Sequence, residues 1–203
     1  MKDVIFITGN EHKFEEFCKW IHSVKLKRKN INLPELQGLP EEIAKEKAKL
    51  ACSILKKPCF VDDTSLVFKS WKSLPGPYIK YFLQELGVKK LSRLLHETGN
   101  DYRATAITVI GYCEPNKHPE AISGKTQGRI VKPTGPQNFG YDSIFKPNNS
   151  NKTQAQMTKE EKSKHSCRMK AIKKFESFLK QKRNARSRIS RKGAKKGLNK
   201  RKP

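Results

Sequence analysis

The chain has 203 residues, with 44 Lys or Arg against 19 Asp or Glu for a formal charge of +25, and 35% of its residues are hydrophobic. A chain of this length can close one α/β core and still carry a tail. No run approaches the roughly 18 uncharged apolar residues of a membrane-spanning helix, and Met1–Ile7 is too short and acid-flanked for a signal peptide, so a reducing, cytoplasmic residence is expected.

Charge and cysteine placement narrow the class further. Residues 181–203 hold eleven Lys or Arg and no acid, which leaves 33 basic against 19 acidic residues, or +14, on residues 1–180. The body therefore suits an anionic ligand, while the tail is a separate polycation. Cys18, Cys52, Cys59, Cys113 and Cys167 are odd in number and lack any Cys-x-x-Cys spacing. They read as free thiols, neither a disulfide frame nor a zinc site.

Val4–Ile7 is a continuous apolar run of the buried parallel-strand kind, ending at the Thr8-Gly9-Asn10 turn. Phe14, Phe17, Cys18, Ile21 and Val24 then keep helical spacing, with Glu11, Glu15 and Glu16 in the opening turns where the helix dipole favours acids. Such a turn, with Lys13 close behind it, offers N–H groups, a hydroxyl and an ammonium to a phosphate, although many βα turns offer as much. Leu33–Gly38 reads as a short extended piece, and a helix follows from about Pro40 to Lys56 with Ile43, Ala44, Ala48, Ala51, Ile54 and Leu55 as its apolar stripe. Lys47 falls on that stripe, so it either snorkels past the core edge or reaches into a cleft to meet an anion. Glu41 and Glu42 are first-turn acids.

Cys59–Phe68 is an apolar strand interrupted by Asp62 and Asp63. Burying an unpaired carboxylate costs several kcal/mol, so the pair either closes a turn or faces a cation, a proton donor or a watery cleft. After Pro75-Gly76-Pro77 come two short helices around Tyr78–Leu86 and Val88–Glu97, forming a small helical lobe. Strands are predicted over Arg103–Cys113 and Ile122–Val131, the second carrying Gly124 and Gly128. Gly124-Lys125-Thr126 is not a phosphate-binding P-loop, because Pro119 stands where that loop needs glycine.

Pro133–Asn138 is a loop, and Phe139-Gly140-Tyr141-Asp142 places two aromatics around a glycine, suited to stacking on a flat base or to packing in the core. The last helix is predicted from about Thr158 to Lys180, opened by the capping-box pattern Thr158-Lys159-Glu160-Glu161. Its apolar face is Ala171, Ile172, Phe175, Phe178 and Leu179, with Arg168 one turn upstream on the same face. Lys47 and Arg168 together predict two helices whose apolar faces end at one anion-lined cleft.

Read jointly, Thr8–Lys13, Leu33–Gly38, Glu42-Ile43 with Lys47, Val61–Thr64, Leu74–Lys80, Gly128–Val131, Phe139–Asp142, and Glu161-Lys162 ahead of Ser166–Arg168 resemble the inosine triphosphate pyrophosphatase (Ham1-like) family over roughly residues 3–180. The resemblance implies hydrolysis of deaminated purine nucleoside triphosphates (ITP, dITP, XTP) to the monophosphate and pyrophosphate with Mg²⁺, Mn²⁺ being an alternative. It also implies a homodimer and an elongated, two-lobed α/β domain with a mixed, twisted central sheet and a substrate cleft between the lobes.

Carried over by residue, Thr8, Gly9, Asn10, Glu11, His12 and Lys13 form the phosphate-side turn, and Lys47 reaches the triphosphate from its helix. Glu35 and Asp63 hold the metal, and Asp63 and Thr64 also contact the substrate; Asp62, Asp63 and Lys13 are the catalytic candidates, Asp62 orienting or deprotonating the attacking water. Phe139 stacks on the base, Gly140, Tyr141, Asp142, Lys162, Cys167 and Arg168 line its pocket, and Lys80 belongs to the helical lobe.

The family's usual Ser-His-Arg reads Ser166-Cys167-Arg168 here. A thiol is a weaker donor than an imidazole N–H, so either Arg168 recognises the base alone or His165 shifts in, and relaxed or altered base selectivity is expected. The tail, 181–203, lies outside the resemblance and is expected to be disordered, either merely solvated or making a nuclear-import or nucleic-acid contact. The alternative for the whole chain is a catalytically weakened family member that binds nucleic acid through this tail.

Overall fold

A computed structural model describes residues 3–137 and 139–198, and side chains within that range except for 186–198. Asn138, the end of the predicted loop, is outside it. In β1 (Asp3–Ile7), Val4 and Phe6 point to one side of a sheet and Ile5 and Ile7 to the other. Both sides are apolar because both are covered. α1 (Glu11–Cys18) and α5 (Cys167–Leu198) pack on the first side, α2 (Pro40–Leu55) on the second.

β1 lies between β2 (Lys25–Lys29) and β3 (Cys59–Phe68), all three parallel. β5 (Arg103–Cys113), β6 (Glu120–Ile130) and β7 (Phe145–Pro147) continue from β3 antiparallel, giving the order β2-β1-β3-β5-β6-β7 in a mixed, twisted sheet. β4 (Pro75–Gly76) pairs with the far half of β3. On this edge β3 meets β1 only as far as the Phe6–Phe60 pair and meets β4 only from Leu66 onward, so the stretch from Val61 to Ser65 lacks a ladder partner there. Both acids lie in that opening.

Three buried clusters follow from the strand alternation. Phe6, Phe17, Phe60, Ile172 and Phe175 form one on the α1/α5 side, where Phe6 and Phe60 stack with ring centres 4.4 Å apart. Leu66, Phe68, Leu91, Leu95, Ile130 and Phe145 form a second on the same side, roofed by α3 (Ile79–Thr98). Asp62 and Thr64 occupy the strand positions between these two clusters. The third, under α2, includes Ile5, Ala44, Ala48, Val61 and Val109.

Two strand glycines bring the helices into contact with the sheet. A Cβ on Gly111 of β5 would lie 2.0 Å from the Ala44 carbonyl oxygen of α2, and one on Gly124 of β6 would lie 2.1 Å from the Cys167 carbonyl oxygen of α5. The helices that carry Lys47 and Arg168 therefore sit directly on backbone.

Several predicted boundaries move. The first helix ends at Cys18, and the chain bends so that Ile21 is buried outside it and β2 can pair with β1. β2, with the sequence Lys-Leu-Lys-Arg-Lys, carries no apolar alternation; its place comes from backbone pairing at a charged sheet edge. The two short helices predicted after Pro77 are both present within α3, meeting at Gly87, whose backbone is non-helical with φ 66° and ψ 168°. The final predicted helix breaks at Ser166, whose extended backbone separates α4 (Lys159–His165) from α5. Thr158 caps α4 as the pattern predicted, its hydroxyl accepting from the Glu161 N–H.

The helical backbone of α5 also continues past Lys180, the expected end of the ordered domain. Lys182 pairs with Glu120 at 2.6 Å and Glu114 at 3.5 Å and lies over the Phe178 and Tyr112 rings. The order of the tail's last residues, 199–203, and the side chains of 186–198 are outside the described residues. No described helix is long and apolar enough to cross a membrane.

Candidate active site

Asp62 has a fully buried side chain at the C-terminal ends of the parallel strands, the crevice where open α/β sheets bind ligands. Its Oδ2 lies 2.8 Å from Lys13 Nζ and 3.2 Å from Arg168 Nε, while its main-chain carbonyl also accepts from Lys13 Nζ at 3.2 Å. Arg168 reaches further, to Glu16 Oε2 at 3.4 Å and to the Thr64 hydroxyl at 3.3 Å. Burial alone would push the Asp62 carboxyl up; Lys13 and Arg168 overcome it and hold the group below the usual carboxylate range.

Lys13 is aimed by its turn. The Asn10 side chain caps α1 by accepting from the Lys13 N–H at 3.1 Å, and the Thr8 hydroxyl accepts from the Asn10 N–H at 3.1 Å. Gly9 lies in this turn. Glu11 and His12 face elsewhere: Glu11 pairs with Arg28, and His12 is almost wholly exposed beside Glu15.

A second group forms on the opposite face of β3. Lys47 Nζ lies 2.8 Å from Glu35 Oε2 and 3.2 Å from Asp63 Oδ1, so the lysine on the apolar stripe ends on two carboxylates. Lys80 approaches Glu35 Oε1 at 3.9 Å from α3. Burial pushes the Asp63 carboxyl up, Lys47 offsets this only in part, and Asp62 adds to the rise. Glu35, hydrogen-bonded by Lys47, is held low. Asp63 Oδ2 is buried with no hydrogen-bond partner. Among the described residues, no three or more His, Cys, Asp or Glu side chains gather as a metal cage.

The third group lies after β6. Lys162 of α4 pairs with Asp142 and stands 5.0 Å from the ring centre of Phe139, which is 56% exposed and free to stack on a ligand. Tyr141 packs edge-on against Phe145, and its buried hydroxyl neighbours Cys167. Cys167 is buried, with Sγ 3.3 Å from the Thr108 hydroxyl, and burial pushes its thiol up. Gly140 takes a positive φ of 49° in the turn between the two aromatics.

Sequence, site and fold meet in the comparisons. The Ham1 family model matches residues 4–178. The chain belongs to the Ham1 family. An inosine triphosphate pyrophosphatase of Puccinia graminis f. sp. tritici is 38% identical over 181 residues, spanning 85% of this chain and 94% of that protein. One from Emericella nidulans is 42% identical over 182 residues, spanning 88% of this chain and 97% of its own. The Staphylococcus aureus Ham1 protein has a TM-score of 0.80 and 27% identity, covering 89% of this chain and all of that one.

In this Ham1 chain the predicted residues thus fall into three groups. Lys47 and Arg168 do not share one lined wall; they flank β3 from opposite faces, because consecutive strand residues point oppositely. Glu16 and Thr108 were not among the predicted site residues. Glu16 stands three positions after Lys13, on the same face of α1. Nothing in the sequence points to Thr108, whose contact with Cys167 depends on the packing of α5 against the sheet.

Proposed function

We propose that this Ham1-family protein is a nucleoside triphosphate pyrophosphatase that cleaves the α–β anhydride of ITP, dITP and XTP, releasing pyrophosphate and the monophosphate. The observation that carries the reading is the placement of three cations, Lys13, Lys47 and Arg168, around two acids at the opening in β3. A protein that only bound a polyanion would gain nothing from Asp62 and Asp63 at its centre. The names of the relatives point to the same reaction.

The Thr8–Lys13 turn at the start of α1 is suited to phosphate oxygens through its N–H groups and the Lys13 ammonium. Lys47 adds charge from the opposite face of β3. The donor set fits magnesium: Glu35 and Asp63 converge on one point, Asp63 has a buried oxygen without a partner, and this ion is commonly held by one or two carboxylates plus substrate phosphates. When bound, it would neutralise charge developing on phosphate oxygens and acidify a bound water.

Asp62 suits positioning better than proton transfer, since a carboxylate held low by two cations is a weak base. It fixes the Lys13 ammonium and the Arg168 guanidinium against each other. Phe139 stacks on the purine, and Lys162 and Arg168 supply donors toward the 6-carbonyl that distinguishes inosine and xanthine from adenine. An amine facing those donors would leave both unpaired. We include in this reading a homodimer and a nucleic-acid or nuclear-import contact through the basic tail, the latter supported by its eleven Lys or Arg.

Pyrophosphate release from ITP with Mg²⁺ tests the reaction, run beside Asp63→Asn. Hydrolysis by the wild type and its loss in the variant are expected. No ITP hydrolysis by the wild type would remove the proposed activity, and full activity in Asp63→Asn would remove the metal assignment.

A further inference from the structure

Lys47 Nζ occupies the point on which the two proposed metal-binding carboxylates converge, 2.8 Å from Glu35 Oε2 and 3.2 Å from Asp63 Oδ1. These acids come from different elements, Glu35 from the segment before α2 and Asp63 from β3, and both turn an oxygen toward one ammonium. An ion that takes oxygen ligands at about 2.1 Å cannot share that point with an ammonium already bonded to the same two groups. The positive charges would also repel.

We propose that Lys47 is the resident counter-ion of this site and that a divalent metal binds only as the lysine leaves, its ammonium passing to the phosphate oxygens of the arriving nucleotide. This rests on the reading of Glu35 and Asp63 as the metal pair. Metal and triphosphate then load together, because each vacates or fills a place the other needs. Such coupling is reciprocal: the nucleotide strengthens metal binding by the factor by which metal strengthens nucleotide binding.

The fold permits this movement. The α2 backbone is held on β5, where the Ala44 carbonyl lies against Gly111, so the helix has little room to shift. The four-carbon stem of Lys47 can instead change rotamer and carry Nζ away while Cα stays. Lys80 is a weaker occupant: it is mostly exposed and stands 3.9 Å from Glu35 on the other carboxylate oxygen.

The test measures Mn²⁺ binding to the full chain without nucleotide, read by the loss of the free-ion paramagnetic resonance signal. Lys47→Met and Lys47→Gln are expected to bind Mn²⁺ at least tenfold more tightly than the wild type, and adding Glu35→Gln to either is expected to abolish the gain. Equal affinities in wild type and variants, or no Mn²⁺ binding in any of them, overturn the proposal. In the wild type alone, saturating Mn²⁺ is expected to raise amine-reactive labelling of Lys47 several-fold by mass spectrometry; unchanged labelling also overturns it. Mn²⁺ affinities that separate as expected in a protein that does not hydrolyse ITP remove the proposed reaction and keep this inference. Normal hydrolysis with equal affinities removes this inference alone.

Discussion

Asp62 and Asp63, consecutive on β3, serve opposite faces of the sheet: Asp62 Oδ2 lies 2.8 Å from Lys13 Nζ, and Asp63 Oδ1 lies 3.2 Å from Lys47 Nζ. The period of two along a strand gives each acid its own cations and its own electrostatics. Asp62 is held charged by Lys13 and Arg168, whereas burial pushes the Asp63 carboxyl up.

The two acids should therefore answer differently to the same substitution. Asp62→Asn leaves Lys13 and Arg168 without their shared buried counter-charge and is expected to cost about 3 kcal/mol of stability. Asp63→Asn removes a charge the fold already disfavours and is expected to stay within about 1 kcal/mol of the wild type while losing ITP hydrolysis. Urea unfolding of both variants beside a pyrophosphate-release assay checks this. Equal destabilisation by the two would contradict the division of labour.

How far the sequence discloses this site depends on the kind of feature. Lys47 and Arg168 are visible because a base on an apolar helical stripe breaks a pattern, and Asp62 and Asp63 because acids break an apolar strand. Which face each serves is not visible from the motifs alone, since it depends on where α2 and α5 pack. β2 escapes for a different reason: four of its five residues are Lys or Arg, and only pairing with β1 makes it a strand. The break at Ser166 is hidden because helical spacing runs on both sides of it.

The end of the folded domain can be located by truncation. Lys182 bonds Glu120 and Glu114 and covers two aromatic rings, so a chain ending at Lys180 loses a cation that a chain ending at Ala185 keeps. The shorter chain is expected to be less stable by about 1–2 kcal/mol, from the lost cation–π contacts and the lost partner of a buried glutamate. Thermal unfolding of the two truncations decides it; identical midpoints would show that the domain is complete at Lys180.

Glu176 should make part of the stability depend on pH. It accepts from the Ser23 hydroxyl at 2.6 Å and pairs with Lys180 at 3.3 Å. Burial pushes its carboxyl up, but the Ser23 and Lys180 contacts outweigh this and hold it below the usual value. A carboxyl with a lowered folded pKa contributes stability above its unfolded value, about 4.3, and loses that contribution as pH falls through the folded value. Glu176→Gln is thus expected to cost about 1–2 kcal/mol at neutral pH, with the gap to wild type closing below about pH 4. A pH series of urea unfolding tests it, and a gap that persists in acid would assign the contact to packing.

Position 167 tests base selectivity. The Cys167 thiol faces the Thr108 hydroxyl at 3.3 Å and neighbours Tyr141, while its carbonyl lies against Gly124 of β6. With the backbone held there, a larger side chain cannot retreat from the sheet and presses on Thr108 and Tyr141, the latter in the Phe139–Asp142 segment. Cys167→His is expected to cost about 1–2 kcal/mol from overpacking. Its imidazole N–H would provide the donor that a thiol supplies poorly, raising the kcat/KM ratios of ITP and XTP over ATP by about tenfold, the worth of one good hydrogen bond. Cys167→Ser, which keeps the size and a donor facing Thr108, is expected to leave both ratios near wild type. Measuring ITP, XTP, GTP and ATP across the three proteins separates packing from recognition: unchanged ratios in Cys167→His would mean that Arg168 and Lys162 read the base without position 167.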